Sequence, residues 1–237
     1  LIKHIKTVVG HFKGKVFGWD VVNEAIEDDG SFRKSPYYKL LGEEFIEIAF
    51  RTAHEADPDA ELYYNDYSMS KPQKREAVCR LVKRLKEKGL RIDGVGMQSH
   101  NGLDYPDLKD YEKSIDAFAA CGVKVLITEL DINVLPNPEG FGGAAVEQNF
   151  EFQQKYNPYP NGLPKDKQKE LDKRWTDLFK IYYKHRAQIG RITVWGVCDE
   201  NSWLNGWPIA GRTNYPLLFD RNYEAKPIVN EIINIFK

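Results

Sequence analysis

The sequence has little of what marks several common classes of protein. Its 34 Lys and Arg residues are balanced by 35 Asp and Glu, a formal net charge of −1, so it lacks the basic excess that attracts nucleic acids and anionic membrane surfaces. No apolar run approaches the roughly 18 residues of a transmembrane helix. No signal peptide can be recognised in these residues, so they give no direct indication of the compartment.

Cysteine is scarce as well. The three cysteines, Cys79, Cys121 and Cys198, are far apart and odd in number, which argues against a disulfide framework. No Cys/His spacing resembles a zinc motif, and no glycine-rich loop follows an apolar run, which weakens the nucleotide-binding option. We expect the three cysteines to be buried free thiols, with Cys198 in a strand.

What the sequence does have is apolar and aromatic material. Hydrophobic residues make up 42% of the 237 residues, which is enough for a substantial core. Aromatic residues make up 13%, including 13 Tyr and 5 Trp. Such flat, amphipathic side chains suit a carbohydrate-binding cleft, although they fill cores as well.

Five short apolar runs predict the strands of one sheet. They cover residues 16–22, 61–67, 92–98, 123–130 and 192–198, and each is nearly continuous, which is typical of strands buried on both faces. Helical patterns lie between and after them, at residues 43–56, 72–88, 107–121, 165–189 and 227–236, following a leading amphipathic helix. This alternation predicts a parallel α/β fold, either doubly wound or a barrel.

Polar residues follow the predicted strands, at their carboxyl ends. They are Glu24, the stretch from Asn65 to Tyr67, the stretch from Gln98 to His100, Glu129 with Asp131, and the stretch from Asp199 to Asn201. Barrels collect their active sites at this edge, which favours the barrel. Residues 133–164, rich in Pro, Gly and Asn, predict a long loop over the same face.

The number of predicted strands is lower than an eightfold barrel needs. Five strands and the leading helix make roughly five-eighths of such a barrel. An open five-stranded sheet would expose a long edge and part of its core. We therefore expect further strands ahead of Leu1.

Two glutamates at predicted strand ends, Glu24 and Glu129, suit the chemistry of glycoside hydrolysis. One carboxyl group must be protonated to help the leaving oxygen depart, while the other must be ionised to attack or to activate water. Taken singly, either residue is more often a loop cap or an ion-pair partner. Their occurrence on two strands of one predicted sheet, each beside further polar groups, favours catalysis.

Five motifs carry a resemblance to a known family. WDVVNEA, YYNDY, GMQSH, ITELD and the VWG…W of residues 194–203 occur in this order. Together they resemble the family 10 glycoside hydrolases, the endo-β-1,4-xylanases. The resemblance covers the whole chain and implies an α/β fold, the (β/α)8 TIM barrel, with these motifs on strands four to eight. It implies a single catalytic domain over residues 1–237 whose N-terminal strands are missing from this chain.

The resemblance also implies a role for each matching residue. Glu24 resembles the general acid/base and Glu129 the nucleophile, while Asn23 matches the residue that hydrogen-bonds the 2-hydroxyl of the reacting sugar. His100 matches the histidine that hydrogen-bonds the nucleophile and helps to hold it ionised. The other matches are to supporting and substrate-binding positions: Gln98 beside the acid/base, Asp131 behind the histidine, Trp195 and Trp203 as indoles that wall the reacting sugar, and Tyr67 as an aromatic residue beside the cleavage point.

The implied function is that of a retaining endo-β-1,4-xylanase acting on xylan and xylo-oligosaccharides without a metal or organic cofactor. The family resemblance also implies a secreted or cell-surface protein, with an N-terminal segment of the same enzyme or carbohydrate-binding modules as partners. Three alternatives stay open. They are another two-glutamate β-1,4-glycanase such as a glucanase, a non-catalytic glycan-binding barrel, and a fragment that is inactive on its own.

Some conspicuous residues lie outside the motifs. Trp175 has helical neighbours and is expected in the core, whereas Trp207, in an NGWP turn, suits either stacking on sugar or holding a loop. The basic run at residues 71–88 predicts a solvated helix face.

Overall fold

Helices and strands alternate along the chain in the computed structural model, which describes residues 1–142 and 148–237. The helices are α1 (Ile2–Phe12), α2 (Pro36–Leu41), α3 (Glu44–Ala56), α4 (Pro72–Glu87), α5 (Leu108–Ala120), α6 (Lys165–Lys184) and α7 (Ile228–Ile235). The strands are β1 (Gly18–Asn23), β2 (Glu61–Asp66), β3 (Gly94–Met97), β4 (His100–Gly102), β5 (Lys124–Asn133) and β6 (Ile189–Val194).

The backbone divides into two compact units. The first comprises Leu1–Gln98, Lys109–Ile127 and Gln188–Arg191, and the second comprises Ser99–Leu108, Thr128–Ala187 and Ile192–Lys237. Strands β5 and β6 each contribute residues to both units. The single domain over residues 1–237 stays a prediction.

The first unit holds a parallel sheet made of β1, β2, β3 and the first part of β5. Asn23 lies opposite Asn65 in the register of β1 and β2, and Asn65 lies opposite Gly96 in that of β2 and β3. Parallel strands with this register bring the carboxyl ends of β1 and β2 side by side. The predicted parallel arrangement is therefore present in this unit.

Helix α4 shows how the sequence defines the elements of the first unit. Pro72 stands at its first turn, where a missing backbone N–H costs nothing. The buried positions, spaced three and four apart, are Lys74, Ala77, Val78, Leu81, Val82 and Leu85. Gly89 ends the helix with a φ of 70°, and the N–H of Leu90 donates to the carbonyl of Leu85 at 2.9 Å.

The second unit pairs β4 in parallel with the second part of β5, so that His100 lies opposite Asp131. The N–H of Trp195 donates to the carbonyl of Leu130 at 3.0 Å and holds the chain after β6 beside β5. Helices α6 and α7 contact each other. Trp175 is fully buried in α6, so its prediction as a core residue is confirmed.

Several predicted boundaries are wrong. The last strand was predicted at residues 192–198 but ends at Val194, because Gly196 takes a φ of 140° that interrupts the extended backbone. Glu129 and Asp131 lie inside β5, which continues to Asn133 because β4 pairs with its last three residues. Helix α6 ends at Lys184, five residues earlier than predicted, before a turn that leads into β6.

The cysteines also differ from their prediction. All three are free, but Cys79 and Cys121 are partly exposed. Cys79 lies at the edge of the apolar face of α4, and Cys121 follows the end of α5, where the chain turns at Gly122. Cys198 is buried, but it precedes a short 3-10 turn at Asp199–Asn201 and is not in a strand.

Two further predictions concern loops and membranes. Within the predicted loop at 133–164, the described residues beyond Asn133 contain one 3-10 turn, Gln154–Tyr156, ahead of the helix α6. Residues 143–147 of that loop lie outside the described residues. Among the described helices, none has the length and apolar character needed to cross a bilayer.

Candidate active site

Glu24 follows β1 directly and has an unusual backbone conformation. Its φ is 56°, in the left-handed region that non-glycine residues seldom adopt. Its N–H donates to the carbonyl of Asn65 at 2.9 Å, and the next N–H, of Ala25, donates to the hydroxyl of Tyr64 at 3.2 Å. Because β2 supplies both acceptors, the sheet itself holds this strained turn and aims the Glu24 side chain.

The Glu24 carboxylate accepts hydrogen bonds from two side chains. The Nε2 atom of Gln98 lies 2.8 Å from Oε1, and the Nη1 atom of Arg33 lies 3.1 Å from Oε2. The Oδ1 atom of Asn23 accepts from Asn65 at 3.0 Å, which fixes the amide of Asn23 beside the glutamate. The structure thus brings together three predicted site residues, Asn23, Glu24 and Gln98.

Tyr67 joins this group through Arg33. The Nη2 atom of Arg33 donates to the Tyr67 hydroxyl at 3.0 Å, and the same hydroxyl donates to Glu27 at 3.1 Å. We call Asn23, Glu24, Arg33, Tyr67 and Gln98 the Glu24 cluster. It lies entirely within the first unit.

A buried ion pair lies beneath Tyr67. Lys74 and Asp66 are both fully buried and their charged atoms lie 2.7 Å apart, while the Lys74 ammonium is 3.3 Å from the centre of the Tyr67 ring. Burial raises the pKa of Asp66 to about 6 and lowers that of Lys74, although each partner's charge acts in the opposite direction. Desolvation therefore outweighs the attraction within this pair.

A second group of predicted site residues lies in the second unit. The Nε2 atom of His100 lies 3.2 Å from Oε2 of Glu129, and its Nδ1 atom lies 3.1 Å from Oδ1 of Asp131. The indole N–H of Trp203 donates to Oδ2 of Asp131 at 2.8 Å. We call His100, Glu129, Asp131 and Trp203 the Glu129 cluster.

Two carboxylates flank His100 and set its pKa. Burial acts to lower its pKa, but Asp131 and Glu129 outweigh burial and raise the pKa to about 9. Near neutral pH the imidazolium can therefore donate from both nitrogens, one to each carboxylate. A protonated imidazole at 3.2 Å places a hydrogen-bond donor and a positive charge directly beside the Glu129 carboxyl group.

Aromatic side chains extend the Glu129 cluster. Trp203 meets His100 edge to face with ring centres 5.0 Å apart, and it stacks on Trp207 at the same distance with an angle of 25°. Phe141 packs edge to face against Trp207, with ring centres 5.0 Å apart. Trp195 is 46% exposed and is available to a ligand. Trp207, which the sequence left ambiguous, therefore holds the loop by packing between Trp203 and Phe141.

The sequence profile described as glycosyl hydrolase family 10 matches residues 1–235, nearly the entire chain. The chain belongs to glycosyl hydrolase family 10. Members of this family fold as (β/α)8 barrels, and the parallel strands and helices described above agree with that fold.

Named relatives in this family are xylanases. An endo-1,4-β-xylanase A of Xylanibacter ruminicola is 62% identical over 234 residues, which are 99% of this chain and 63% of that protein. A β-1,4-xylanase of Dictyoglomus thermophilum is 43% identical over 98% of this chain and 62% of its own length. The family 10 chain thus spans less than two thirds of these curated relatives.

Solved structures agree with this assignment. The structure of a family 10 endoxylanase from a sugarcane soil metagenome matches with a TM-score of 0.95 and 50% identity, over 99% of this chain and 68% of that one. The crystal structure of xylanase B from Clostridium stercorarium matches with a TM-score of 0.86 and 37% identity, over 98% of this chain and 65% of that one.

Sequence reasoning missed Arg33, Glu27 and Lys74 in this family 10 chain. Their signal was indirect, since EDDGSFR at residues 27–33 contains an Asp-Gly pair that is typical of a tight turn. Such a turn returns the chain toward Glu24, and it would have indicated that Arg33 lies beside it. Lys74 was assigned to a solvated helix face, and the structure corrects this because its side chain is fully buried.

Proposed function

We propose that this chain carries the catalytic residues of a retaining endo-β-1,4-xylanase, with Glu129 as nucleophile and Glu24 as general acid/base. The observation that carries the proposal is the environment of the two carboxylates. Glu129 is paired with a cationic histidine, whereas Glu24 is held by a neutral amide and a shared arginine. Two glutamates in different electrostatic surroundings suit the division between an anion and a proton donor.

In the first step, Glu129 attacks the anomeric carbon of the sugar on the non-reducing side of the bond. The glycosidic bond breaks, its electron pair stays with the leaving oxygen, and Glu24 donates a proton to that oxygen. The product is a glycosyl ester on Glu129 and a shortened chain with a free hydroxyl. The side-chain amide of Asn23, whose oxygen already accepts from Asn65, donates a hydrogen bond to the 2-hydroxyl of the bound sugar. This interaction strengthens as the transition state forms.

In the second step, Glu24 acts as a base, because it gave up its proton in the first step. It removes a proton from water, the water oxygen attacks the anomeric carbon, and the ester bond to Glu129 breaks. Two inversions give net retention of configuration. His100, within hydrogen-bond distance of Glu129, stabilises the carboxylate that leaves.

The substrate we propose is xylan or a xylo-oligosaccharide. The partly exposed indole rings of Trp195 and Trp203 suit stacking on the apolar face of a neutral sugar. We propose further that the predicted strands correspond to strands four to eight of the family barrel. We also propose that the protein acts outside the cell or at its surface, with an N-terminal segment or carbohydrate-binding modules as partners.

The test is hydrolysis of xylohexaose followed by proton NMR of the first products. The proposal predicts internal cleavage with the β-anomer formed first, because double displacement retains configuration. Cellohexaose is the matched substrate, and faster cleavage of it would favour a β-1,4-glucanase. Binding of both oligosaccharides without cleavage of either would favour a glycan-binding protein. Formation of the α-anomer first would contradict the retaining mechanism.

A further inference from the structure

Arg33 reaches Glu24 because a short turn folds the chain back after β1. Ile26 and Phe32 form an antiparallel bridge, and Gly30 closes the turn between them with a φ of 83°. The N–H of Arg33 then donates to the carbonyl of Ala25 at 2.9 Å. This backbone bond holds Arg33 next to the residue that follows Glu24.

The guanidinium of Arg33 is shared among three acceptors. Its Nη1 atom lies 3.1 Å from Glu24, its Nε atom 3.1 Å from Glu27, and its Nη2 atom 3.0 Å from the hydroxyl of Tyr67. The side chain of Arg33 is 25% exposed, so water screens these charges only in part. Burial acts to lower the pKa of Arg33, but Tyr67, Glu27 and Glu24 outweigh it and raise the pKa.

Glu27 competes with Glu24 for this arginine. One oxygen of Glu27 accepts from Arg33, and its other oxygen accepts from the Tyr67 hydroxyl at 3.1 Å. Arg33, Glu27 and Tyr67 therefore form a closed triangle of hydrogen bonds. Glu27 and Tyr67 each accept from one guanidinium nitrogen, so Glu24 shares the positive charge with them.

Other charged groups lie around the triangle within the first unit. Asp28 pairs with Lys71 at 2.5 Å, and Asp66 pairs with Lys74 at 2.7 Å. These pairs neutralise one another, so they add little net charge at Glu24. Arg33 links the triangle to Glu24, and Lys74 contacts the same cluster through the ring of Tyr67.

We propose that Arg33 is a positioning residue whose charge is divided between Glu24 and Glu27, and that Glu27 thereby sets how readily Glu24 takes up its proton. The inference rests on the proposed function, in which Glu24 must alternate between acid and base. A guanidinium that sat on Glu24 alone would favour the carboxylate and remove the acid. With Arg33 divided, Glu24 is oriented by a hydrogen bond while part of the guanidinium faces Glu27 instead.

Two substitutions should move the same property in opposite directions. The alkaline limb of the kcat/KM profile reports the loss of the proton from the acid Glu24. Arg33→Gln removes the positive charge beside Glu24, so this limb should shift to higher pH by roughly one unit. Glu27→Gln leaves the positive charge to Glu24, so the limb should shift to lower pH by roughly half to one unit. Loss of a merely structural contact would lower kcat/KM in both variants without shifting the alkaline limb in opposite directions.

The experiment records the pH dependence of kcat/KM on xylohexaose for the wild-type chain and these variants. Arg33→Lys keeps the charge but not the three-way fork, so it should move the limb less than Arg33→Gln does. Arg84→Gln is the matched control, because Arg84 is also shared between two glutamates, Glu43 and Glu47, in the same unit. It should not move the limb.

A second measurement makes the inference independent of turnover. Carbon-13 labelling of the glutamate carboxyl groups, with the Glu24 signal assigned by its loss in Glu24→Gln, reports the titration of this residue in each variant. Its midpoint should move up in Arg33→Gln and down in Glu27→Gln. If the wild type cleaves no β-1,4-glycan, the proposed function fails, while the titration still judges the inference. Glu24 midpoints that stay fixed, or that move in the same direction in both variants, would overturn the inference. If Arg33→Gln does not fold, the direction of the shift in Glu27→Gln decides the question.

Discussion

His100 Nε2 lies 3.2 Å from Glu129 Oε2, and the opposite ring nitrogen of the same histidine lies 3.1 Å from Asp131. One imidazolium is thus placed between two carboxylates. The register of β4 and β5 produces this arrangement, since it sets His100 opposite Asp131 and two residues beyond the Glu129 position. The nucleophile proposed for this family 10 chain is therefore supported by a cation that the sheet itself positions.

The raised pKa of His100 predicts how stability depends on pH. The folded state holds the proton up to about pH 9, whereas the unfolded chain releases it near 6.5, so the stabilisation is full below about 6.5 and is lost as pH rises toward 9. The loss amounts to at most about 3 kcal/mol. Urea unfolding at intervals across this range should show the decline in the wild type and not in His100→Gln. The exposed His54 gives the control, His54→Gln, which should decline like the wild type. An equal decline in both variants would contradict the assignment.

Glu129→Ala should remove turnover and leave the fold intact. Without the carboxylate no glycosyl ester can form, so kcat should fall by at least about 10³-fold, about 4 kcal/mol of barrier. Added azide should restore part of the activity on an activated aryl xylobioside, because the small anion enters the space that the side chain leaves and attacks directly. The glycosyl azide should have inverted configuration, as NMR of the product would show. Undiminished hydrolysis of xylan by this variant would rule out Glu129 as the nucleophile.

The sequence predicted much of this arrangement, and the exceptions have physical causes. Within the first unit, parallel strands ending in polar residues indicated that Asn23, Glu24 and Gln98 would lie together, because such strands end at one edge of a sheet. The end of β6 was missed because an aromatic and aliphatic run, VWGVC, looks like a strand until Gly196 adopts a positive φ. Local composition does not reveal that choice.

The partners of the site residues were harder to predict than the residues themselves. Arg33 acts through a turn whose geometry depends on the bridge between Ile26 and Phe32. Lys74 is in step with the buried face of α4, but no local signal shows that Asp66 lies there to pair with a buried ammonium. Such contacts depend on tertiary packing, which a single sequence encodes only indirectly.

Glu24→Gln tests the acid/base assignment through the leaving group. Gln cannot donate a proton to the departing oxygen, so xylo-oligosaccharides should be cleaved about 10²–10⁴-fold more slowly. Activated aryl xylosides, whose leaving groups need no proton, should be slowed in glycosylation by less than about tenfold. The alkaline limb of the kcat/KM profile should flatten on the activated substrate. Equal slowing of both substrate types, measured from initial rates, would mean that Glu24 is not the acid.

Lys74 and Asp66 form a buried ion pair under the ring of Tyr67. Burial shifts the pKa of each against its charged form, so the pair itself adds little net stability, but each charge depends on the other to remain buried. Asp66 also accepts from the N–H of Ile26 at 3.4 Å, which links the pair to the turn after Glu24. Removing one partner should therefore be costly, and removing both should cost less than the two separate losses together.

Lys74→Met keeps the length of the side chain and removes its charge, which leaves Asp66 buried without a cation. We expect the free energy of unfolding in urea to fall by about 3–5 kcal/mol. The double variant Lys74→Met/Asp66→Asn should be less destabilised than the sum of the single variants by about 1–3 kcal/mol, because no lone charge stays buried. Lys71→Met is the control three residues away. Its ammonium pairs with Asp28 while half exposed, so this variant should lose no more than about 1 kcal/mol. Additive losses in the double variant would show that the two side chains are not energetically coupled, and the ion pair would then have no part in holding Tyr67 and the Glu24 turn.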